Sequence, residues 1–141
     1  MIFDSYLGRG LLKRQKPDSR QIVKQLSRSK EDLITASGLA ERNPDWAEIV
    51  AYHAALRAGR ALLYSKGFLP ADGFQHKTVV ELTGRLLGPE AVLWAEKFER
   101  MRRKRNFFFY GDGSPDTLAE AKSAIQAAGK LVSLIETSMK R

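Results

Sequence analysis

Residues 118–139, LAEAKSAIQAAGKLVSLIETSM, carry the clearest structural pattern in the chain. Their apolar side chains recur at steps of three and four residues, which places them along one face of an α-helix. The members of this face are Leu118, Ala121, Ile125, Ala128, Val132, Ile135 and Met139. Because a helix with one apolar face must bury that face against other elements, the pattern predicts a bundle of helices.

The same periodicity predicts four further helices upstream, and no segment alternates as a β-strand should. They run from about residue 18 to 40, from Asn43-Pro44 to Gly67, from about residue 74 to 87, and from Gly88-Pro89 to at least Asn106. The pair Ser114-Pro115 is expected to cap the last helix. Residues 1–16 are predicted to form an N-terminal arm, followed by one domain of residues 17–141. We therefore expect an all-α fold, an antiparallel bundle of about five helices with a short N-terminal arm.

Composition limits the class of protein. The chain has 141 residues, of which 43% are hydrophobic and 28% charged, as expected for one soluble globular domain. The absence of cysteine excludes disulfides, Cys-based zinc sites and a Cys nucleophile. With no apolar run of membrane-spanning length and no basic leader region, a cytoplasmic protein without a membrane partner is expected. The net charge of +8 favours a polyanionic partner, above all nucleic acid, with simple solubility as the alternative.

The second predicted helix is rich in small residues, which allow a neighbouring helix to approach closely. They are Ala47, Ala51, Ala54, Ala55, Ala58, Gly59 and Ala61. Close packing within one bundle explains them, and a helix contact across a homodimer is the alternative.

The chain contains two histidines, and neither has the spacing of a metal site. His53 lies beside the apolar stripe of the second helix, which favours a packed, hydrogen-bonded side chain. His76 is expected to open the third helix, where it can cap the helix or contact a phosphate. We expect neither a metal ion nor a cofactor.

The segment RRKRNFFFYGD, residues 102–112, is the strongest functional feature. The apolar stripe of the fourth helix runs through Trp94, Phe98 and Met101, and its next member is Arg105. A guanidinium in such a position needs an internal partner, a wet cleft or an anion. A helix C-terminus attracts cations, which accounts for Arg102, Arg103 and Lys104 but not for Arg105. Asn106 and Tyr110 lie one helical turn apart and can act together.

The string Arg-Arg-Lys-Arg-Asn-x-x-x-Tyr at residues 102–110 resembles the signature of HEPN-domain proteins, small helical proteins of prokaryotic defence and toxin–antitoxin systems. The order of the other segments is also similar, including the Ala-rich helix around Tyr52 and the loop from Gly67 to His76. The resemblance implies a dimer whose Arg motifs face one cleft. Active members are metal-independent endoribonucleases with an Arg-x(4–6)-His motif. Arg105 and Asn106 match its first two positions, while Tyr110 stands where the histidine is expected.

We therefore expect a HEPN-like homodimer that engages RNA or a nucleotide-bearing partner. One form of this function is a metal-independent endoribonuclease toxin paired with a nucleotidyltransferase-like antitoxin, and the alternative is a non-catalytic binding module. A third, structural interpretation pairs Arg105 with Glu99, Asp112 or another acid. The expected catalytic residues are Arg105, Asn106 and Tyr110, and the expected nucleic-acid contacts are Arg102, Arg103, Lys104 and His76. Because tyrosine is a poor base at neutral pH, His76 or His53 would have to supply the base.

Overall fold

The computed structural model describes residues 1–72, 75–110 and 115–140, with the backbone alone at residues 106–110. Six α-helices and one two-stranded sheet occur in these ranges, so the prediction of an all-α fold is confirmed. In chain order the elements are α1 (Asp4–Gly8), β1 (Leu12–Arg14), α2 (Ser19–Leu39), α3 (Pro44–Ser65), β2 (Phe68–Pro70), α4 (His76–Leu87), a 3₁₀ turn (Pro89–Ala91), α5 (Val92–Tyr110) and α6 (Leu118–Met139). No helix of the described ranges has both the length and the apolar character needed to cross a bilayer.

The N-terminal segment packs onto the bundle through α1 and β1. Strand β1 pairs antiparallel with β2, with Leu12 opposite Pro70 and Arg14 opposite Phe68. The expectation that no segment forms a strand was therefore wrong, because three-residue strands are too short for alternation to show in the sequence. Phe3 stacks on Phe68 with ring centroids 4.2 Å apart, and Phe3, Tyr6 and Leu12 join the main core. The domain boundary after residue 16 stays a prediction.

Helix α3 is the central element of the bundle. Asn43 accepts a hydrogen bond from the backbone N–H of Trp46, and Pro44 follows as the first helical residue, as the sequence predicted. Its small residues are buried within the chain, which confirms the interpretation of close bundle packing. At Gly59, an added Cβ would lie 2.6 Å from Thr83 Oγ1 and 2.9 Å from Val79 Cγ1, so this glycine lets α4 cross closely. The small-residue helix consequently gives no support to a homodimer.

The start of α6 differs from the sequence prediction, whereas the extent of α5 agrees with it. Helix α6 begins at Leu118 instead of at Ser114-Pro115, because Thr117 and Glu120 form a capping box. Thr117 accepts from the Glu120 backbone N–H, and the Glu120 carboxylate accepts from the Thr117 N–H, both at 3.1 Å. Helix α5 reaches Tyr110, in agreement with the expectation that it extends at least to Asn106.

Candidate functional site

Except for His76 at the start of α4, the predicted site residues lie at the C-terminal end of α5, and the structure separates those it describes into different environments. Arg102 and Arg103 both donate from Nε to Glu99 Oε1, at 2.8 Å and 3.3 Å. The Arg103 side chain is 74% exposed, whereas that of Arg102 is 20% exposed. Glu99 thus already accepts hydrogen bonds from two arginines that lie one turn further along the same helix.

Lys104 lies among three carboxylates, an arrangement called here the Lys104 cluster. Its Nζ donates to Glu48 Oε1 and to Glu120 Oε2, each at 3.1 Å, and also pairs with Asp116. These partners come from α3, from α6 and from the residues just before α6. The ammonium therefore ties the basic end of α5 to two other helices.

Burial and charge shift the titration of this cluster. Burial and, next to it, repulsion from Asp116 raise the pKa of Glu48 to about 7, while attraction to Lys104 opposes the rise. Burial by itself would lower the pKa of Lys104, but hydrogen bonding to Asp116 and attraction to Glu48 raise it above its usual value. Lys104 consequently stays charged, while Glu48 keeps its proton to a higher pH than an exposed glutamate does.

Tyr52, His53 and His76 form a second group, the histidine cluster, where the start of α4 meets the middle of α3. The Tyr52 hydroxyl and Nδ1 of His76 share a hydrogen bond of 2.9 Å. The His53 and His76 ring centroids are 6.2 Å apart and the rings are nearly perpendicular. His53 also meets the edge of Tyr52 at 5.5 Å, and Tyr52 itself is buried. Both histidines of the chain therefore lie in one site, a convergence that the sequence left open.

Arg105 lies within electrostatic range of all three members of the histidine cluster. Burial lowers the pKa of His76 to about 4, and the positive charge of Arg105 is the next largest cause. Burial and then Arg105 also lower the pKa of His53. For Tyr52, burial raises the pKa to about 12 and Arg105 opposes the rise. At neutral pH the site therefore presents two uncharged imidazoles and a protonated phenol beside a guanidinium.

The sequence favoured a packing role for His53, with the catalytic base as a second possibility, and did not single out Arg60. The structure places His53 in this site, and Arg60 contributes to lowering the pKa of both histidines. Their signal was present in the sequence, because His53, Arg57 and Arg60 recur at steps of four and three within an otherwise apolar helix. The side chains of Asn106 and Tyr110 lie outside the described residues, as does Asp112, so their predicted roles stay predictions. In the described part of the chain, no group of three or more His, Asp or Glu residues is arranged to hold a metal ion.

Comparison with protein families identifies the chain. The family described as HEPN domain matches residues 22–138, which is most of the bundle. The chain belongs to the HEPN family. Membership in this family indicates a function connected with RNA or nucleotides in general. Comparison with curated proteins and with solved structures gives no match.

Proposed function

We propose that this HEPN protein binds RNA through a phosphate at Arg105 and cleaves it without a metal ion. The observation that carries the proposal is the convergence of two uncharged histidines with Arg105 around Tyr52. Cleavage of RNA by its own 2′-hydroxyl needs a base, a proton donor and a cation that stabilises the charged transition state. This set of groups supplies the base and the cation, and Tyr110 is the proposed proton donor.

His76 is the proposed general base. When Nδ1 donates to the Tyr52 hydroxyl oxygen, the lone pair lies on Nε2, which can accept the proton of the 2′-hydroxyl. The 2′-oxygen then forms a bond to phosphorus as the bond to the 5′-oxygen breaks, which leaves a cyclic phosphate and a 5′-hydroxyl. Arg105 stabilises the charge that develops on the phosphate, since a guanidinium forks onto two phosphate oxygens.

Asn106 and Tyr110 complete the proposed site. Because α5 continues to Tyr110, the two residues are four apart on a helical backbone and share one face of it. Asn106 would orient the phosphate or the attacking hydroxyl, and Tyr110 would donate a proton to the leaving oxygen. Arg102 and Arg103 would add phosphate contacts outside the site, while Lys104 would hold the end of α5 in place through its three carboxylates.

One observation favours a non-catalytic RNA- or nucleotide-binding module as the second candidate. A histidine with a pKa of about 4 is uncharged at neutral pH but is a weak base. A bound phosphate would raise the pKa of His76 by counteracting the positive charge of Arg105. The two candidates therefore share the binding site and differ in whether RNA is cut.

Incubating purified protein with end-labelled single-stranded RNA, with and without EDTA, tests the proposal. We expect slow cleavage that EDTA does not abolish, and a loss of cleavage in His76→Gln with RNA binding retained. Arg105→Ala should weaken RNA binding by about tenfold or more, since a charge-assisted contact is lost. Arg103→Ala removes one of the outer contacts from a mostly exposed side chain and should weaken binding less than Arg105→Ala does.

The outcomes separate the candidates. Binding that depends on Arg105 without any cleavage would leave the binding module as the function. If Arg105→Ala binds and cleaves as the unmodified protein does, Arg105 has no role in either, and the proposal fails.

We further propose that the functional unit is a homodimer, in which two such sites face one cleft, and that its partner is a nucleotidyltransferase-like antitoxin. Light scattering at micromolar concentration should return about twice the 15.8 kDa mass of one chain. A mass equal to one chain across that range would remove the dimer from the proposal. Co-expression with a nucleotidyltransferase-like protein encoded beside it should suppress any RNA cleavage.

A further inference from the structure

Helix α3 is covered by its neighbours on almost every side. Between Ala51 and Leu63, every position is buried except His53, Arg57 and Arg60. With a rotation of 100° per residue, these three lie within about 60° of one another around the helix, and half-exposed Tyr64 continues the same line. We call these four residues the α3 stripe. It is the line along which the central helix reaches solvent.

The two arginines of the α3 stripe differ in their surroundings. Arg57 pairs through Nε with Asp32 at 3.4 Å and donates from Nη1 to Gln25 at 2.8 Å, so α2 supplies its partners. For Arg60, the described part of the chain provides neither an ion pair nor a hydrogen bond. Burial lowers the pKa of Arg60, because a partly buried guanidinium without a counter-ion is poorly solvated. Arg60 is therefore a partly buried cation whose charge a bound anion would compensate.

Arg60 and Arg105 both act on the histidine cluster, and they do so from different helices. Both lie within electrostatic range of His53, His76 and Tyr52, although one is on α3 and the other on α5. The helical rise of 1.5 Å per residue separates Arg60 from His53 by about 10 Å along α3. Arg60 and Arg105 lie at different positions beside the histidine cluster. They therefore fit a ligand that has two separate negative charges better than a ligand that has one.

We propose that the α3 stripe is a second phosphate subsite, with Arg60 as its ligand, so that RNA lies along α3 with consecutive phosphates at Arg105 and Arg60. The inference rests on the proposed function and adds the class of substrate to it. The ligand is an RNA strand with at least two consecutive phosphodiesters, instead of a mononucleotide. Arg57 lies between His53 and Arg60 and, being already neutralised by Asp32, lines the subsite without binding phosphate.

Binding of two short RNAs by fluorescence anisotropy tests this subsite. A dinucleotide has one phosphodiester and a trinucleotide has two, so the unmodified protein should bind the trinucleotide about tenfold more tightly. Arg60→Gln should reduce trinucleotide binding to the level of the dinucleotide and leave dinucleotide binding unchanged. With a longer single strand, the same variant should lower the slope of log affinity against log salt by about 0.7, the value for one lost phosphate contact.

Arg28→Gln is the matched control, because Arg28 lies on exposed α2 and pairs weakly with Glu31 at 3.9 Å. It should change neither the preference for the trinucleotide nor the salt slope. Arg60→Lys keeps the charge and should retain part of the preference, which guards against a folding defect in Arg60→Gln. An unmodified protein that binds both RNAs equally, or an Arg60→Gln variant with an unchanged salt slope, overturns the second subsite alone. An unmodified protein that binds neither RNA overturns the proposed function as well.

Discussion

Lys104 and Arg105 are neighbours on α5, yet they belong to two regions with opposite charge balance. In the Lys104 cluster, three carboxylates from α3 and from the start of α6 surround one ammonium. In the histidine cluster, Arg105, Arg60 and Arg102 act on Tyr52 and His76. A net charge of +8 therefore does not show which cations are available to a ligand, because some of them already form ion pairs within the fold.

In each region the direction of the pKa shift agrees with the sign of the excess charge around the group: the pKa of Glu48 is raised and the pKa of His76 is lowered. Burial is the largest cause in both, and it disfavours whichever form is charged. Negative charge is in excess around Glu48, so its proton is held more tightly, and positive charge is in excess around His76, so its proton is lost more easily. In the first region the carboxylates outnumber the one ammonium that ties them together, and in the second the arginines outnumber the acids that act on Tyr52 and His76.

The largest expected effect on stability comes from removing the cation of the Lys104 cluster. Lys104→Met leaves the three carboxylates without their counter-ion, and we expect a loss of about 3 kcal/mol in the free energy of unfolding, moderated by partial solvation. Chemical denaturation at pH 7 measures it. Lys122→Met, on the exposed face of α6, is the control and should change stability little. Equal stabilities of the two variants would mean that the cluster does not hold α5 in place.

A smaller effect is expected from Glu48, and its sign depends on pH. Because the folded protein raises the pKa of Glu48 from 4.5 to about 7, the folded state binds the proton more tightly than the unfolded state. This contribution to stability is present below pH 4.5 and is lost as the pH rises to 7. Relative to Glu48→Gln, the unmodified protein should therefore lose about 2 kcal/mol between pH 4.5 and pH 8. Parallel stability curves for the two proteins over that range would contradict the shift.

The sequence predicted the helices well because each carries its own local signals. Apolar periodicity and caps such as Asn43-Pro44 placed the long helices, and the start of α6 was misplaced because Pro115 was chosen over the Thr117 capping box. The difference between the surroundings of Lys104 and those of Arg105 could not be predicted from such local signals. The carboxylates at Glu48, Asp116 and Glu120 and the histidines at 53 and 76 meet α5 only through tertiary packing, which local periodicity does not encode.

A more local effect should follow from removing the charge of Arg105, if it faces the histidines as the pKa shifts indicate. Arg105→Gln should raise the pKa values of both His53 and His76, because a positive charge that disfavours their protonated forms is removed, and NMR titration of the imidazole protons measures both. Because the folded pKa of His76 is lowered to about 4, its contribution to stability is present above pH 6.5 and lost as the pH falls to 4. The variant should therefore lose less stability on acidification. Arg103→Gln serves as the control, and unchanged histidine pKa values in Arg105→Gln would place Arg105 outside the site.

The smallest expected effect concerns a buried polar group that belongs to neither region. Thr83 and Thr78 are both buried on α4, but Thr78 Oγ1 donates to Gln75 at 3.3 Å, whereas no hydrogen-bond partner of Thr83 Oγ1 occurs in the described part of the chain. Replacing an unsatisfied buried hydroxyl by a methyl of similar shape removes a desolvation cost. Thr83→Val should therefore stabilise the protein by about 1 kcal/mol, while Thr78→Val should destabilise it slightly, as thermal unfolding of the pair will measure. If Thr83→Val is the more destabilising of the two, the Thr83 hydroxyl makes a contact that matters to the fold, and the close crossing of α3 and α4 at Gly59 depends on it.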